Sequence, residues 1–298
     1  MFKKRETVIQ NIAYMAVMAA INVVFVLLTN VLPVLLFLLV FLLPLTSTIV
    51  TLYCKKRYFP IYFVVTIGLC MIVTAGMSIY DTFLYVFPSL VTGFLFGFMI
   101  EKKVPGILVI SGVTIAQYVL TLLTFIFLDK VVSGVNLFNA IITAFGLDSF
   151  PFKSTFIQLF LYIVAQIQIV FTYLLIKYEV RKIGILINLE LKYRYVIYVV
   201  ILLEGLLAIF STFYFPSYAL MFVVMCLPLF VYEVFSLILK QKIVNYALLI
   251  TSSIVSFFLF ALLYQFVPSP NQLVLLFILF GLTTIIDLLD NYCFKQNK

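Results

Sequence analysis

Ten runs of mostly apolar residues follow one another along this 298-residue chain, and they leave it one workable solvent, which is lipid. A helix that crosses the hydrocarbon core of a bilayer needs about twenty such residues at a rise of about 1.5 Å each. The runs cover 8–29, 33–53, 59–80, 82–100, 105–128, 154–176, 195–213, 218–239, 243–266 and 272–289. Pro33, Pro60, Pro105 and Pro216 stand at or near run starts, where a missing N–H removes no helical bond. The chain is 65% hydrophobic and 10% charged, with a mean hydropathy of +1.26. A soluble domain carries about 25% charged residues. The expected fold is therefore all-α, a polytopic membrane helix bundle of about ten transmembrane helices.

Charge gives an independent reading of orientation. With the amino terminus inside, the inner segments are 1–7, 54–58, 101–104, 177–194, 240–242 and 290–298. They hold 17 of the 19 Lys and Arg residues, and the outer segments hold only Lys130 and Lys153. Basic residues are retained on the cytoplasmic side, so the asymmetry predicts that both termini are cytoplasmic. It also accounts for the pI near 9.2 without any nucleic-acid partner. The first run has no small-residue cleavage site followed by a polar mature start, which predicts a retained span.

Most soluble-enzyme chemistry is excluded by residue type. The chain has no histidine, and Cys54, Cys70, Cys226 and Cys293 form no C-x-x-C pair. Zinc, haem and Cys–His nucleophiles are not expected. No Walker A sequence, H-E-x-x-H or G-x-S-x-G occurs, and no two acids within one apolar run share a helix face. The chain reads as a non-enzyme with no cofactor and no metal. The one enzymatic reading weighed is lipid chemistry using Glu204 as acid or base, and these absences stand against it.

Other residue patterns suggest where the chain meets partners and ligands. Ala13, Ala16 and Ala20 recur at spacings of three and four, so they share one face of the first helix. Small residues let membrane helices approach closely, which makes the face either a docking stripe for a partner or packing within the bundle. In the fifth run Thr114, Gln117, Thr121 and Thr124 form a polar stripe. In the sixth, Gln158, Tyr162 and Gln166 recur every four residues. Asp81 and Tyr85 lie near the outer ends of the third and fourth runs. Polar side chains in hydrocarbon face protein or a cavity. The reading is a pocket in the outer half, formed by Gln117, Thr121, Thr124, Gln158 and Tyr162 and roofed by Asn30 and the long outer loop 129–153. Its amides and hydroxyls suit a neutral or weakly charged small molecule. The alternative is interhelical hydrogen bonding alone. Pro44, Pro88 and Pro228 fall inside runs and free carbonyls that a neighbour must satisfy. Glu204 lies about nine residues into the seventh run, an intramembrane acid with no locally spaced Lys or Arg.

Six helices within about 180 residues, a basic amino terminus, the Ala16-x-x-x-Ala20 face and a long outer loop before the sixth helix resemble the S components of energy-coupling factor transporters. That resemblance implies a substrate-capturing subunit. Its first helix would meet a T-type transmembrane coupling subunit, which in turn engages ATPase subunits. Leu43-Pro44-Leu45, Lys55-Lys56-Arg57-Tyr58 and Gly93-x-x-x-Gly97 before Glu101-Lys102-Lys103 also look like the YybS-like membrane proteins. Those are bacterial proteins of low-GC Gram-positive cells, and they resemble S components with extra helices. The implied organisation is a six-helix S-component-like membrane domain over 1–180 and a four-helix extension over 181–298, in the cell membrane. The competing reading is a membrane scaffold that binds proteins without transporting anything.

The topology generates a direct test. In intact cells, a membrane-impermeant thiol reagent should label a cysteine placed in 129–153 and miss one placed in 177–194. Labelling of the second loop would remove the ten-helix arrangement.

Overall fold

A computed structural model describes residues 4–32, 36–75, 82–128, 130, 137–144, 146, 152–182, 194–239, 243–267 and 271–293. Among them are eleven α-helices and no strand. They are α1 Val8–Val31, α2 Leu36–Tyr53, α3 Phe59–Thr74, α4 Phe87–Glu101, α5 Gly106–Phe127, α6 Leu137–Ala144, α7 Lys153–Lys182, α8 Arg194–Tyr214, α9 Pro216–Leu239, α10 Ile243–Leu263 and α11 Leu276–Cys293. Nine helical segments among the described residues are long and apolar enough to cross a membrane, and the apolar stretch Val40–Tyr53 of α2 is a shorter tenth. This is a helical membrane bundle.

Two boundaries differ from those read in the sequence. α7 continues to Lys182, beyond the end of the sixth run at 176. Its last residues include Lys177, Glu179, Arg181 and Lys182, residue types that propagate a helix well. α3 ends at Thr74, and 76–81 lie outside the described residues. Pro88 sits in the first turn of α4, behind a π-helical turn at Thr82–Val86. The expected irregularity at this proline is thus a π-turn, one of the recognised ways of relieving a helix.

The helices fall into two compact units. The first comprises Met1–Ala140 and Val164–Glu190, the second Ile141–Ile163 and Leu191–Lys298, so the boundary falls inside α7. In the first unit, α4 packs on α2 through Gly93 and Gly97. A Cβ on Gly93 would lie 2.3 Å from the Pro44 carbonyl oxygen, and one on Gly97 would lie 2.5 Å from Thr51 Cβ. The G-x-x-x-G face is therefore internal. Ser47 Oγ donates to the Leu90 carbonyl at 2.7 Å across the same contact. α1, α2 and α3 are joined by a buried polar triad: Asn22 Nδ2 donates to Tyr62 Oη at 2.8 Å, and Thr46 Oγ1 donates to Asn22 Oδ1 at 2.7 Å.

At one end of this unit the segments 4–7, 54–58 and 101–104 are tied together. Lys4 and Lys56 each reach Glu101 at 2.8 Å. Arg5 lies 3.5 Å over the Tyr14 ring, and its N–H donates to the Tyr53 carbonyl. Asn11 bonds the Arg5 and Thr7 carbonyls and accepts from the Lys55 N–H at 2.9 Å. Cys54 is buried beneath them, and burial pushes its thiol up, against the opposing pull of Arg5 and Lys4. α4 ends on Lys103 at φ 56, with the Val104 N–H bonded to the Met99 carbonyl. A left-handed residue there is the usual way to stop a helix, though the position favours glycine.

Gly93→Val should lower stability by about 1–3 kcal/mol, because the α2 backbone leaves no room for a side chain. Lys103→Gly should raise it by about 1 kcal/mol. Reversible unfolding in mixed micelles reads both signs.

Candidate functional site

The sequence places its ligand-binding residues on α5, on α7 and near the loops. Gln117 is 5% exposed. Its Nε2 donates to Gln168 Oε1 at 3.2 Å, and Gln168 Nε2 donates to the Val40 carbonyl at 3.1 Å. The last bond has a clear origin. Pro44 has no N–H, so the carbonyl four residues earlier, that of Val40, loses its helical donor. Gln168 supplies one, and α2, α5 and α7 are joined in a single chain of bonds.

Polar capacity remains unused around this chain. Gln117 Oε1, Thr114 Oγ1 and Thr172 Oγ1 are buried and have no hydrogen-bond partner among the described residues. Thr114 lies three residues before Gln117 and Thr172 four after Gln168, so each shares a face with its glutamine. Thr121 and Thr124 turn their hydroxyls back on their own helix, bonding the Gln117 and Leu120 carbonyls at 2.9 and 2.8 Å.

The remaining candidates are distributed as follows. Gln158 is half-buried and Tyr162 buried, and both belong to the second unit, whereas Gln117, Thr121 and Thr124 belong to the first. Tyr85 is half-buried in the π-turn. Asp81, the side chain of Asn30 and most of 129–153 lie outside the described residues. The sequence stripe on α7 selected Gln158, Tyr162 and Gln166 and passed over Gln168. The available signal was Pro44, whose freed carbonyl calls for a long donor from another helix.

On α1, Ala13, Ala16 and Ala20 are exposed. The inward face is Asn11, Met15, Ala19, Asn22 and Val26. The exposed alanines lie among Ile9, Ile12, Val17 and Val24, which are exposed as well.

Glu204 sits midway along the 21-residue α8 and is 6% exposed. The Cys226 thiol on α9 hydrogen-bonds its carboxyl, and Tyr162 on α7 is within electrostatic reach of both. Glu204 Oε2 has no hydrogen-bond partner among the described residues. The tyrosine assigned to the ligand pocket and the intramembrane acid thus belong to one cluster. Among the described residues, no three His, Cys, Asp or Glu side chains are grouped to hold a metal ion.

No protein-family model, curated protein or solved structure matches this chain.

If the glutamine chain holds the first unit together, Gln168→Leu should cost about 1 kcal/mol, since it removes two interhelical bonds of roughly 0.6 kcal/mol each. Gln166→Leu should change stability by less than about 0.5 kcal/mol. Unfolding in mixed micelles compares the two.

Proposed function

We propose that this integral membrane protein is a substrate-binding subunit of the energy-coupling factor type, YybS-like in its overall plan. It would span the cell membrane of a low-GC Gram-positive bacterium ten times, with both termini inside. The observation that carries the reading is the exposed Ala13, Ala16 and Ala20 face of α1. A membrane helix that uses Asn11, Met15, Ala19, Asn22 and Val26 for its own bundle and still offers a flat small-residue face can take a second helix there. The proposed occupant is a T-type coupling subunit, with ATPase subunits behind it. The proposed orientation draws support from the junction of 4–7, 54–58 and 101–104 at one end of the first unit, which a common cytoplasmic side requires.

The cargo would be a small neutral or weakly charged molecule. Support comes from Gln117 Oε1, Thr114 Oγ1 and Thr172 Oγ1, which offer one acceptor and two hydroxyls without any fixed charge.

Ala16→Leu and Ala20→Leu should weaken capture of a membrane partner by about tenfold or more, because each side chain holds the backbones apart. The unfolding midpoint of the purified chain should stay in place, since both positions are exposed. Loss of folding along with capture would assign the face to the chain's own bundle.

A further inference from the structure

The second unit carries a string of buried protonatable and polar side chains that substrate capture does not use. Its centre is Glu204, hydrogen-bonded by Cys226 with Tyr162 nearby. Two turns along α9 from Cys226, a rise of about 10.5 Å, is Glu233. It is 2% exposed, and Thr284 Oγ1 of α11 donates to its Oε2 at 3.0 Å. One turn beyond Thr284 on α11, Asp287 is fully buried and accepts from Tyr198 Oη of α8 at 2.5 Å. In the other direction along α8, Ser211 and Thr212 are buried seven and eight residues past Glu204, on its face of the helix. Asn271 opens the turn Asn271–Leu275 that leads into α11, and this turn packs on α8 and α9. Asn271 is fully buried, and neither its Nδ2 nor its Oδ1 has a partner among the described residues.

Glu204 and Asn271 each have polar atoms with no hydrogen-bond partner among the described residues. In hydrocarbon such atoms need a partner. Whichever form Glu204 takes, Oε2 is incomplete: a neutral acid has an O–H to donate, and a carboxylate has lone pairs to fill. Among the described residues no basic side chain fills them. α9, α10 and α11 contain no Lys or Arg, and α8 has only its first residue, Arg194, about 15 Å along the helix from Glu204. The titratable groups facing Glu204 are Cys226 and, beyond it, Glu233 on α9, and Tyr162 on α7. From α11 the neighbour at this level is Phe277, 3.1 Å from where a Cβ on Gly205 would stand. Water would satisfy both forms of the acid and both atoms of Asn271, since it donates and accepts.

We infer that Glu204 is an exchangeable proton-binding site inside the membrane, reached by water from the Asn271 end of α11. On release, the O–H bond of the Glu204 carboxyl breaks and an O–H bond forms on a water molecule. A carboxylate and a hydronium result, and no electrons change hands. Binding is the reverse. The inference is independent of any partner on α1 and gives the carboxy-terminal helices a task of their own.

The test uses the full-length protein in micelles and N,N′-dicyclohexylcarbodiimide, which adds only to a neutral carboxylic acid in apolar surroundings. Peptide mass mapping should find one adduct, on Glu204. Above its midpoint the rate should fall about tenfold per pH unit, as one titrating proton requires. Glu204→Gln should abolish the adduct. Absence of any adduct in the wild-type chain, an adduct on Glu233 or Asp287 instead, or a rate that does not change with pH would each overturn the site. The water route has its own readout. Asn271→Cys, in a chain whose four native cysteines are alanine, should react with a charged methanethiosulfonate, and Glu204→Gln in that background should leave the reaction intact. A folded Asn271→Cys chain that does not react would overturn the route.

Discussion

A polar atom placed in hydrocarbon has no water to fall back on, and most of the specific contacts in this protein answer that constraint. The apolar side chains do not single out one arrangement, because lipid is as good a neighbour for Leu or Phe as another helix is. Arrangement comes from the groups lipid cannot serve. Pro44 shows how this propagates. Its missing N–H strands the Val40 carbonyl, Gln168 crosses from α7 to serve it, and Gln168 Oε1 accepts from Gln117 on α5. The same proline's carbonyl accepts from Thr48 at 2.8 Å and lies where Gly93 allows α4 to come closest. One imino acid thus shapes the meeting of four helices.

The two units apply the constraint differently. In the first, the buried triad Asn22–Tyr62–Thr46 gives the asparagine amide partners on both of its atoms, and Lys4, Lys56 and Glu101 meet at one end in ion pairs. In the second, carboxyl groups themselves are buried, at Glu204, Glu233 and Asp287. Hydroxyl donors meet two of them, Thr284 and Tyr198. A bundle needing only adhesion would do better with amides and hydroxyls, as in the first unit, because taking a carboxyl out of water costs more than taking out an amide or a hydroxyl. That contrast separates a unit held by neutral hydrogen bonds from one built around ionisable groups.

Much of the architecture was legible in the residues taken one after another. Run length and charge placement are properties of the chain in order, so the apolar spans and the anomaly of Glu204 could be read directly. Lys4, Lys56 and Glu101 belong to segments that charge placement had assigned to one side, and they meet in the folded unit.

What the tertiary structure alone decided is which face of each helix turns inward. In a soluble protein the apolar stripe marks that face, but here nearly every face is apolar, and helix periodicity loses its meaning. Hence Gln168, and not the regularly spaced Gln166, meets Gln117. Hence too Ala13, Ala16 and Ala20 of α1 lie outward while Met15, Ala19 and Asn22 lie inward. Tyr162 could be assigned to a polar stripe from its spacing, but its neighbours Glu204 and Cys226 are 42 and 64 residues away in the chain. The sequence by itself determined how many apolar spans the chain can send through a membrane and where their charges collect, because hydrocarbon thickness and charge placement act on each segment separately. Partner choice among buried polar groups is a property of pairs, and only the packed helices decide it.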